Sequence, residues 1–358
     1  MEELTIIIPS KNRPELLRRS CIYWSKREFK VIICDGSDES QEKWVGDLFS
    51  PNIIYIHSQN AFPQRIKIAA DVVDTRYCML LSDDEFYLPK ALIECIRFLD
   101  NNDEYIAVGG VAVGFRPGKT GILGFEQYPE WIGRERIESS PGDRVVAHMS
   151  SYANYLSASV TKSEFIKSIA SLYASRELPI FALLEFEMNL ILSYCGKSKV
   201  LSNLMHFRSH GECVPIRNNI PSLSTKNSIC DLWRSDNCAH IDLKKDFVSI
   251  VSSAVADFSI SESSPGSEVI AIEAAIYSYC EWIKHKGGRN RFIGLLKKVI
   301  PVSIRDRLTF LAAMKRRLGG GLKPLEEAIK DLELSGISFD ANDVTQVISS
   351  IKDFYGYR

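Results

Sequence analysis

The stretch LTIIIPSKNRP at residues 4–14 decides the fold of this 358-residue chain. It joins an apolar, β-branched run, which is typical of a buried strand, to a polar turn and to Pro14, a residue favoured at the start of a helix. The same succession returns three times before residue 100. Strands that are apolar on both faces and alternate with helices predict an α/β fold with a mostly parallel sheet flanked by helices.

The pattern assigns each element a range. Strands are predicted at 4–8, 29–34, 52–57, 77–81, 105–113 and 200–207. Helices are predicted at 14–24, 41–49, 61–73, 88–99, 162–174 and 181–194. Residues 115–148 follow neither period, and we interpret this long segment as a lid or binding loop.

Polar residues follow the first four strands directly. The carboxyl ends of parallel strands lie at the same edge of the sheet, and α/β proteins bind their ligands at this edge. We call this edge the rim. Its four clusters are Ser10–Arg13, Asp35–Asp38, Gln59–Asn60 and Ser82–Glu85.

Three consecutive carboxylates, Asp83, Asp84 and Glu85, form the strongest chemical signal. They repel one another unless a cation offsets their charge. Oxygen ligands of this kind suit Mg²⁺ or Mn²⁺, although an acidic turn that caps the next helix is an equally simple interpretation.

Other rim residues also have two interpretations. Asp35 can accept hydrogen bonds from a nucleotide, or it can serve only the Asp-Gly turn. Lys11, Arg13 and Arg65 suit a diphosphate, or they are ordinary surface charges.

In this order and spacing, IIIPSKNRP (6–14), VIICDGSD (31–38) and LSDDEFYLP (81–89) resemble GT-A-fold glycosyltransferases of the family 2 type. The likeness is good over residues 4–99, weak over 150–212 and absent from the last third. It implies an inverting, metal-dependent hexosyltransferase-like enzyme that moves a sugar from a nucleotide-sugar donor, with a UDP-sugar favoured. The acceptor would be a hydroxyl of a glycan or lipid-linked molecule, in bacterial surface polysaccharide synthesis.

The resemblance also implies roles for single residues. Mn²⁺ or Mg²⁺ would be held by Asp84, Glu85 and His210, and Ser82 stands where the family usually has its first Asp. The nucleotide-sugar would contact Pro9, Ser10, Asn12, Arg13, Asp35, Asn60, Arg65 and Asp83.

Two glutamates compete for the role of general base. Counted back from Gly196, Glu185 falls on the family's basic position, and Glu187 is its competitor because the usual Glu-Asp pair is missing. An exposed helix glutamate without a catalytic role is the alternative for either. His206, between apolar residues, is interpreted as a core histidine.

Composition excludes several classes of protein. A net charge of −1 and a pI of about 6.6 argue against nucleic-acid binding by bulk charge. Nine scattered cysteines without a CxxC pair are typical of free thiols in a reducing cytosol. The acidic N-terminus is no signal peptide, and no apolar run reaches the length of a membrane span. We therefore expect a cytoplasmic protein.

A division into domains is predicted near residue 230. Residues 1–230 would form the catalytic domain, and 231–358 a helical C-terminal region. Within it, residues 284–318 carry eleven Lys/Arg and one acid, Asp306. A basic amphipathic helix favours contact with the inner membrane surface, although a helix packed on the catalytic domain fits the same pattern.

Two other functions remain open on the sequence. A catalytically idle nucleotide- or sugar-binding module is consistent with Ser82 and with the unusual sequence around Glu185. A nucleotidyltransferase would need a glycine-rich loop after the first strand to hold a triphosphate, and PSKN at 9–12 is not one.

Overall fold

The computed structural model describes residues 3–48, 50–176, 178, 182–210, 226–258, 266–299 and 321–357, without the side chains of 226–228 and 286–299. Its strands are β1 Leu4–Ser10, β2 Lys30–Asp35, β3 Ile53–His57, β4 Tyr77–Leu80, β5 Phe86–Tyr87, β6 Tyr105–Pro117, β7 Ile122–Gln127, β8 Glu135–Arg136, β9 Val160–Lys162, β10 Lys197–Ser209 and β11 Lys323–Pro324. Its helices are α1 Pro14–Trp24, α2 Glu42–Val45, α3 Phe62–Asp71, α4 Pro89–Asp100, α5 Pro141–Met149, α6 Ser163–Ala174, α7 Ala182–Cys195, α8 Lys226–Arg234, α9 Cys238–Phe258, α10 Ser267–Val299, α11 Leu325–Leu334 and α12 Ala341–Tyr355.

The strands of the described residues form one eleven-stranded sheet, in which eight strands have the order β11-β7-β6-β9-β4-β1-β2-β3. The other three lie off this path, where β10 pairs with β6, β5 and β8. β1 runs parallel to β2 and β4, and β2 runs parallel to β3. The other half is mixed, because β7 and β9 pair antiparallel with β6 while β10 runs parallel to it. The predicted fold class, a sheet that is mostly parallel in its core and flanked by helices, is confirmed.

Burial on both faces explains why β1 is apolar throughout. Ile6, Ile7 and Ile8 are fully buried. Successive side chains point to opposite faces, so Ile7 enters the core beneath α3, α6 and α7, whereas Ile6 and Ile8 enter the core beneath α1 and α4. Each face thus holds its own hydrophobic core, and the polar loops that leave the strands stay at the rim.

The prediction of an irregular segment at 115–148 is wrong. β6 continues to Pro117, β7 returns as its antiparallel partner, and α5 then packs on α7 and α10. The hairpin depends on close packing at Gly114, where a Cβ atom would lie 2.3 Å from the ring of Phe125. Such glycines leave room for neighbouring side chains, but they also interrupt the alternation of apolar and polar residues by which a strand is recognised in a sequence.

The C-terminal third is mostly helical, as predicted, but its helices pack on two different parts of the protein. α9 and α10 pack on α7 and α5, whereas residues 321–357 return to the sheet. There β11 pairs antiparallel with β7, α11 packs on β7, and α12 contacts α1. Residues 321–357 therefore pack with the sheet of the N-terminal part, to which they add a strand, although the predicted boundary at residue 230 assigns them to a separate region.

The basic segment 284–318 lies largely outside the described residues, so its contact with a membrane stays a prediction. Within the described part of the chain, no helix combines the length and the apolarity needed to cross a membrane. The described cysteines are free thiols, as the sequence predicts.

Candidate functional site

Side chains of the loop after β1 contact side chains of the loop after β4, at the rim. Ser10 Oγ donates to Asp83 Oδ2 over 2.7 Å. Arg13 reaches both neighbouring carboxylates, with Nη1 2.8 Å from Asp83 Oδ1 and Nη2 2.8 Å from Asp84 Oδ2. Four of the predicted site residues therefore form one network.

The loops after β2 and β3 join the same edge. The backbone N–H of Asn12 donates to Ser37 Oγ over 2.7 Å. Its side chain donates to Asp38 Oδ2 and accepts from the Asp38 N–H, and Gln59 Nε2 donates to the Asp38 carbonyl over 2.6 Å. Asn12 has φ of +55°, a left-handed conformation that Asn tolerates better than most residues. All four predicted clusters thus meet at the rim.

Two further residues in the predicted nucleotide site differ in exposure. Asn60 is exposed beside Gln59 and can meet a ligand from solvent. Pro9 lies in β1, half-buried and level with Cys34 of β2.

Asp35 is fully buried and organises the turn after β2. Its Oδ1 accepts from the Ser37 N–H and hydroxyl, over 2.9 and 2.5 Å. Its Oδ2 accepts from the Gln41 N–H at 3.1 Å and from the Tyr55 hydroxyl at 2.5 Å. Burial, together with the bond to Asp35, raises the pKa of Tyr55 to about 12. A nucleotide contact of the kind the resemblance implies would have to compete with these four bonds.

Arg65 holds the carboxyl ends of β1 and β2 together. Its Nη1 donates to the carbonyls of Ser10 and Cys34 over 2.8 and 2.9 Å. The guanidinium lies against Gly36, where a Cβ atom would be only 2.3 Å from Arg65 Cζ. The residue is 5 % exposed, and burial lowers its pKa. These contacts are structural, whereas the resemblance implies a contact with the diphosphate.

The acidic loop Ser82–Glu85 is neutralised from within the protein. Asp83 is 1 % exposed, and burial raises its pKa to about 6 although Arg13 and Ser10 act in the opposite direction. Asp84 Oδ1 accepts from Ser82 Oγ over 2.7 Å. Arg19 Nη2 donates to the Asp84 carbonyl over 2.8 Å.

Glu85 belongs to a second group of side chains, the Arg208 cluster of Glu85, His206, Arg208 and Tyr128. His206 Nε2 lies 2.9 Å from Glu85 Oε2, and Arg208 Nε lies 3.7 Å from Glu85 Oε1. Arg208 Nη1 donates to the Tyr128 hydroxyl over 2.9 Å, and Tyr128 has φ of +55°. His206 is buried, as predicted, and its ring stacks on Tyr87.

His210 follows directly after β10. Its Nε2 lies 3.1 Å from Gln127 Oε1, and its ring is tilted against Phe125. Burial, and then the charge of Arg208, lower its pKa. The side chain of His210 therefore contacts residues of β7.

The predicted metal ligands do not fit a divalent ion in this arrangement. Asp84 is paired with Arg13, and Glu85 faces His206 and Arg208. Among the described side chains, no three of His, Cys, Asp and Glu come together as a metal site.

Glu185 and Glu187 lie on opposite faces of α7, because residues two apart in a helix point away from each other. Glu187 is fully buried and its Oε1 lies 2.5 Å from Arg176 Nη2. Burial, opposed by Arg176, raises the pKa of Glu187 to about 7. Glu185 is exposed, and its charge acts on Arg208 and Tyr152.

Sequence reasoning missed Arg208, Tyr128 and Arg19 as members of the site. Arg208 had a usable signal, because it lies in a polar run at the end of an apolar strand. Tyr128 had none, since the hairpin that carries it was not recognised.

Comparison with known proteins gives a match to one family model and several structural neighbours. Residues 5–153 match the model of glycosyl transferase family 2. No curated protein sequence matches the chain. S. aureus TarS is similar at 11 % identity and a TM-score of 0.39, over 73 % of this chain and 44 % of TarS, so the chain spans less than half of that neighbour.

Two structures of a shorter TarS are also similar. TarS 1–349 shares 12 % identity over 80 % of this chain and 91 % of that one, with a TM-score of 0.41. Its complex with UDP-GlcNAc shares 13 % identity over 80 % and 92 %, with a TM-score of 0.40. The family match spans all four loops of the rim, so over residues 5–153 this chain is similar to glycosyl transferase family 2.

Proposed function

We propose that this chain is an inverting glycosyltransferase that uses a nucleotide-sugar donor, with a UDP-sugar favoured. The observation that carries the proposal is the meeting of all four strand-end clusters at one rim, inside the segment that matches the family. The proposed acceptor is a hydroxyl of a glycan or a lipid-linked molecule, in surface polysaccharide synthesis.

Cations near the rim would stabilise the leaving nucleoside diphosphate. Arg13 is 23 % exposed and Arg208 is 27 % exposed, so both guanidinium groups can meet a ligand. Although burial alone would lower the pKa of Arg208, its neighbours Tyr128, Glu85 and Glu185 raise it, so the guanidinium stays charged. Positive groups fixed before the reaction stabilise the negative charge that develops on the leaving group.

Glu185 is the proposed general base. It is exposed, and its charge acts on Arg208, beside the acidic loop. A carboxylate there can take the proton of the acceptor hydroxyl as that oxygen attacks the anomeric carbon from the side opposite the diphosphate. Glu187 is held in the interior by Arg176, so we assign it a structural role.

Other parts of the proposal rest on the resemblance or on the sequence. The resemblance alone implies dependence on Mn²⁺ or Mg²⁺, and we leave it out of the proposal because Asp84 and Glu85 are paired with protein groups. Contact of residues 284–318 with an anionic membrane, at its inner face, rests on the eleven basic residues of that segment.

A thermal-shift panel with UDP, GDP, CDP and CMP tests the proposed function. A ligand that binds only the native state raises the melting temperature, and we expect the largest rise with UDP. Glu185→Gln should bind the same nucleotide but release nucleoside diphosphate from the sugar donor about 10²–10⁴-fold more slowly in the presence of acceptor. Binding without turnover in the wild-type chain would favour an idle binding module, and no response to any nucleotide would contradict the proposal.

A further inference from the structure

We propose that Arg13 is the built-in counter-ion of the acidic loop Ser82–Glu85, and that nucleotide binding at the rim needs no divalent cation. The second half of this inference rests on the proposed function. The first half concerns the free protein and stands without it.

The contacts of the two aspartates carry the inference. Arg13 places Nη1 and Nη2 each 2.8 Å from an oxygen of Asp83 and of Asp84. The second oxygens are also occupied, since Asp83 Oδ2 accepts from Ser10 and Asp84 Oδ1 accepts from Ser82. Each of the four oxygens therefore already lies beside a protein donor or cation, with which a divalent ion would compete.

A second guanidinium reinforces the first. Arg19 Nη2 donates to the Asp84 carbonyl over 2.8 Å, and the Arg19 side chain is 7 % exposed. Its Cζ lies 4.8 Å from the ring centre of Phe86 and 4.5 Å from that of Phe354, on α12. Two positive groups therefore lie at the acidic loop, and an added divalent ion would meet repulsion from both.

The remaining predicted ligands do not offer an open alternative. Glu85 is paired with His206 and lies near Arg208, and His210 lies against Gln127. Ser82 supplies a hydroxyl where a carboxylate would be a stronger ligand for a hard cation. The charges of the acidic loop are thus already balanced by protein groups.

Arg13 can then act on a bound nucleotide directly. Its side chain is 23 % exposed, and the two carboxylates fix the plane of its guanidinium. A planar, always charged guanidinium recognises phosphate oxygens in a defined geometry. On this account a phosphate oxygen can meet the exposed part of Arg13, while the charge of Arg13 also balances Asp83 and Asp84.

Titration of Mn²⁺ into the free protein, followed by electron paramagnetic resonance, tests the counter-ion. We expect no stoichiometric binding by the wild-type chain at Mn²⁺ concentrations up to about 1 mM, a range in which a preformed carboxylate site would fill. Arg13→Met should gain at least about tenfold in Mn²⁺ affinity, because the freed carboxylates then need a cation. Arg18→Met is the matched control, since Arg18 lies on α1, the helix that directly follows Arg13, but pairs with Asp47, and it should behave as the wild type.

UDP affinity measured in EDTA and in Mn²⁺ tests the second half. We expect the two dissociation constants to agree within about twofold, and a loss of about tenfold or more in EDTA would overturn the inference. One tightly bound Mn²⁺ per wild-type chain would overturn it as well, even if Arg13→Met fails to fold. If no nucleotide binds, the proposed function fails, while the Mn²⁺ titration still decides the role of Arg13.

Discussion

Replacing Gly36 with alanine tests whether Arg65 holds the rim ends of β1 and β2 together. The new Cβ atom would lie 2.3 Å from Arg65 Cζ and 2.6 Å from Nη1, so the guanidinium must move away from the carbonyls of Ser10 and Cys34. A hydrogen bond from a charged donor is worth about 1.5–3 kcal/mol, so losing both costs about 3–6 kcal/mol. Alanine returns about 0.4–1 kcal/mol through the unfolded chain. We expect a net loss of about 2–5 kcal/mol.

Urea denaturation of four variants measures this effect. Gly121→Ala is the matched control, because nothing lies within 4 Å of a Cβ atom at that position, and it should change stability by less than about 0.5 kcal/mol. In an Arg65→Ala background the clash is gone, so Gly36→Ala should also cost less than about 0.5 kcal/mol. An equal cost of Gly36→Ala with and without Arg65 would refute the reasoning.

Three further predictions concern the site. Burial raises the pKa of Glu187 from 4.5 to about 7, so the folded chain binds that proton more tightly than the unfolded chain does. The stability that this proton contributes to the fold is complete below pH 4.5 and is lost as the pH rises through about 7. Relative to Glu187→Gln, the wild type should lose about 3 kcal/mol of unfolding free energy between pH 4.5 and 8, measured by urea denaturation. Glu185→Gln should lower kcat by about 10²–10⁴-fold and leave UDP affinity unchanged. Phe354→Ala should weaken UDP binding about threefold to tenfold by calorimetry, since Arg19, which bonds to the acidic loop, loses a cation–π partner. Phe354→Tyr should keep the wild-type affinity.

Each of these predictions has an outcome that contradicts it. A pH profile shared by wild type and Glu187→Gln would show that Glu187 titrates normally in the folded chain. Full activity in Glu185→Gln would exclude that carboxylate as the base. A fall in melting temperature for Phe354→Ala without any change in UDP affinity would reduce the ring to a purely structural role.

The sequence predicts the parallel half of the sheet well because β1 to β4 are apolar on both faces, which leaves no competing pattern. It fails at β7 and α5 because these elements depend on distant partners. Gly124 of β7, for example, would bring a Cβ atom within 2.7 Å of Leu325, about two hundred residues along the chain.

The candidate site was predictable in its position but not in its contacts. Adjacent carboxylates require a cation, yet only the structure shows that Arg13 meets that requirement. Helix periodicity separates Glu185 from Glu187, but which face is buried depends on Arg176 and on the ring of Phe247, on α9. Arg65 and Asp35 carry the residue types of a ligand site, and the structure engages both in bonds to the protein itself.

Hydrogen exchange with and without UDP tests the central claim most directly, because it locates the ligand on the chain. The account predicts slower exchange of backbone amides at residues 10–13, 36–41 and 82–88 when UDP is bound, and no change in α11 at 325–334. UDP binding that leaves the rim amides unprotected, or that protects only a distant surface, would contradict it.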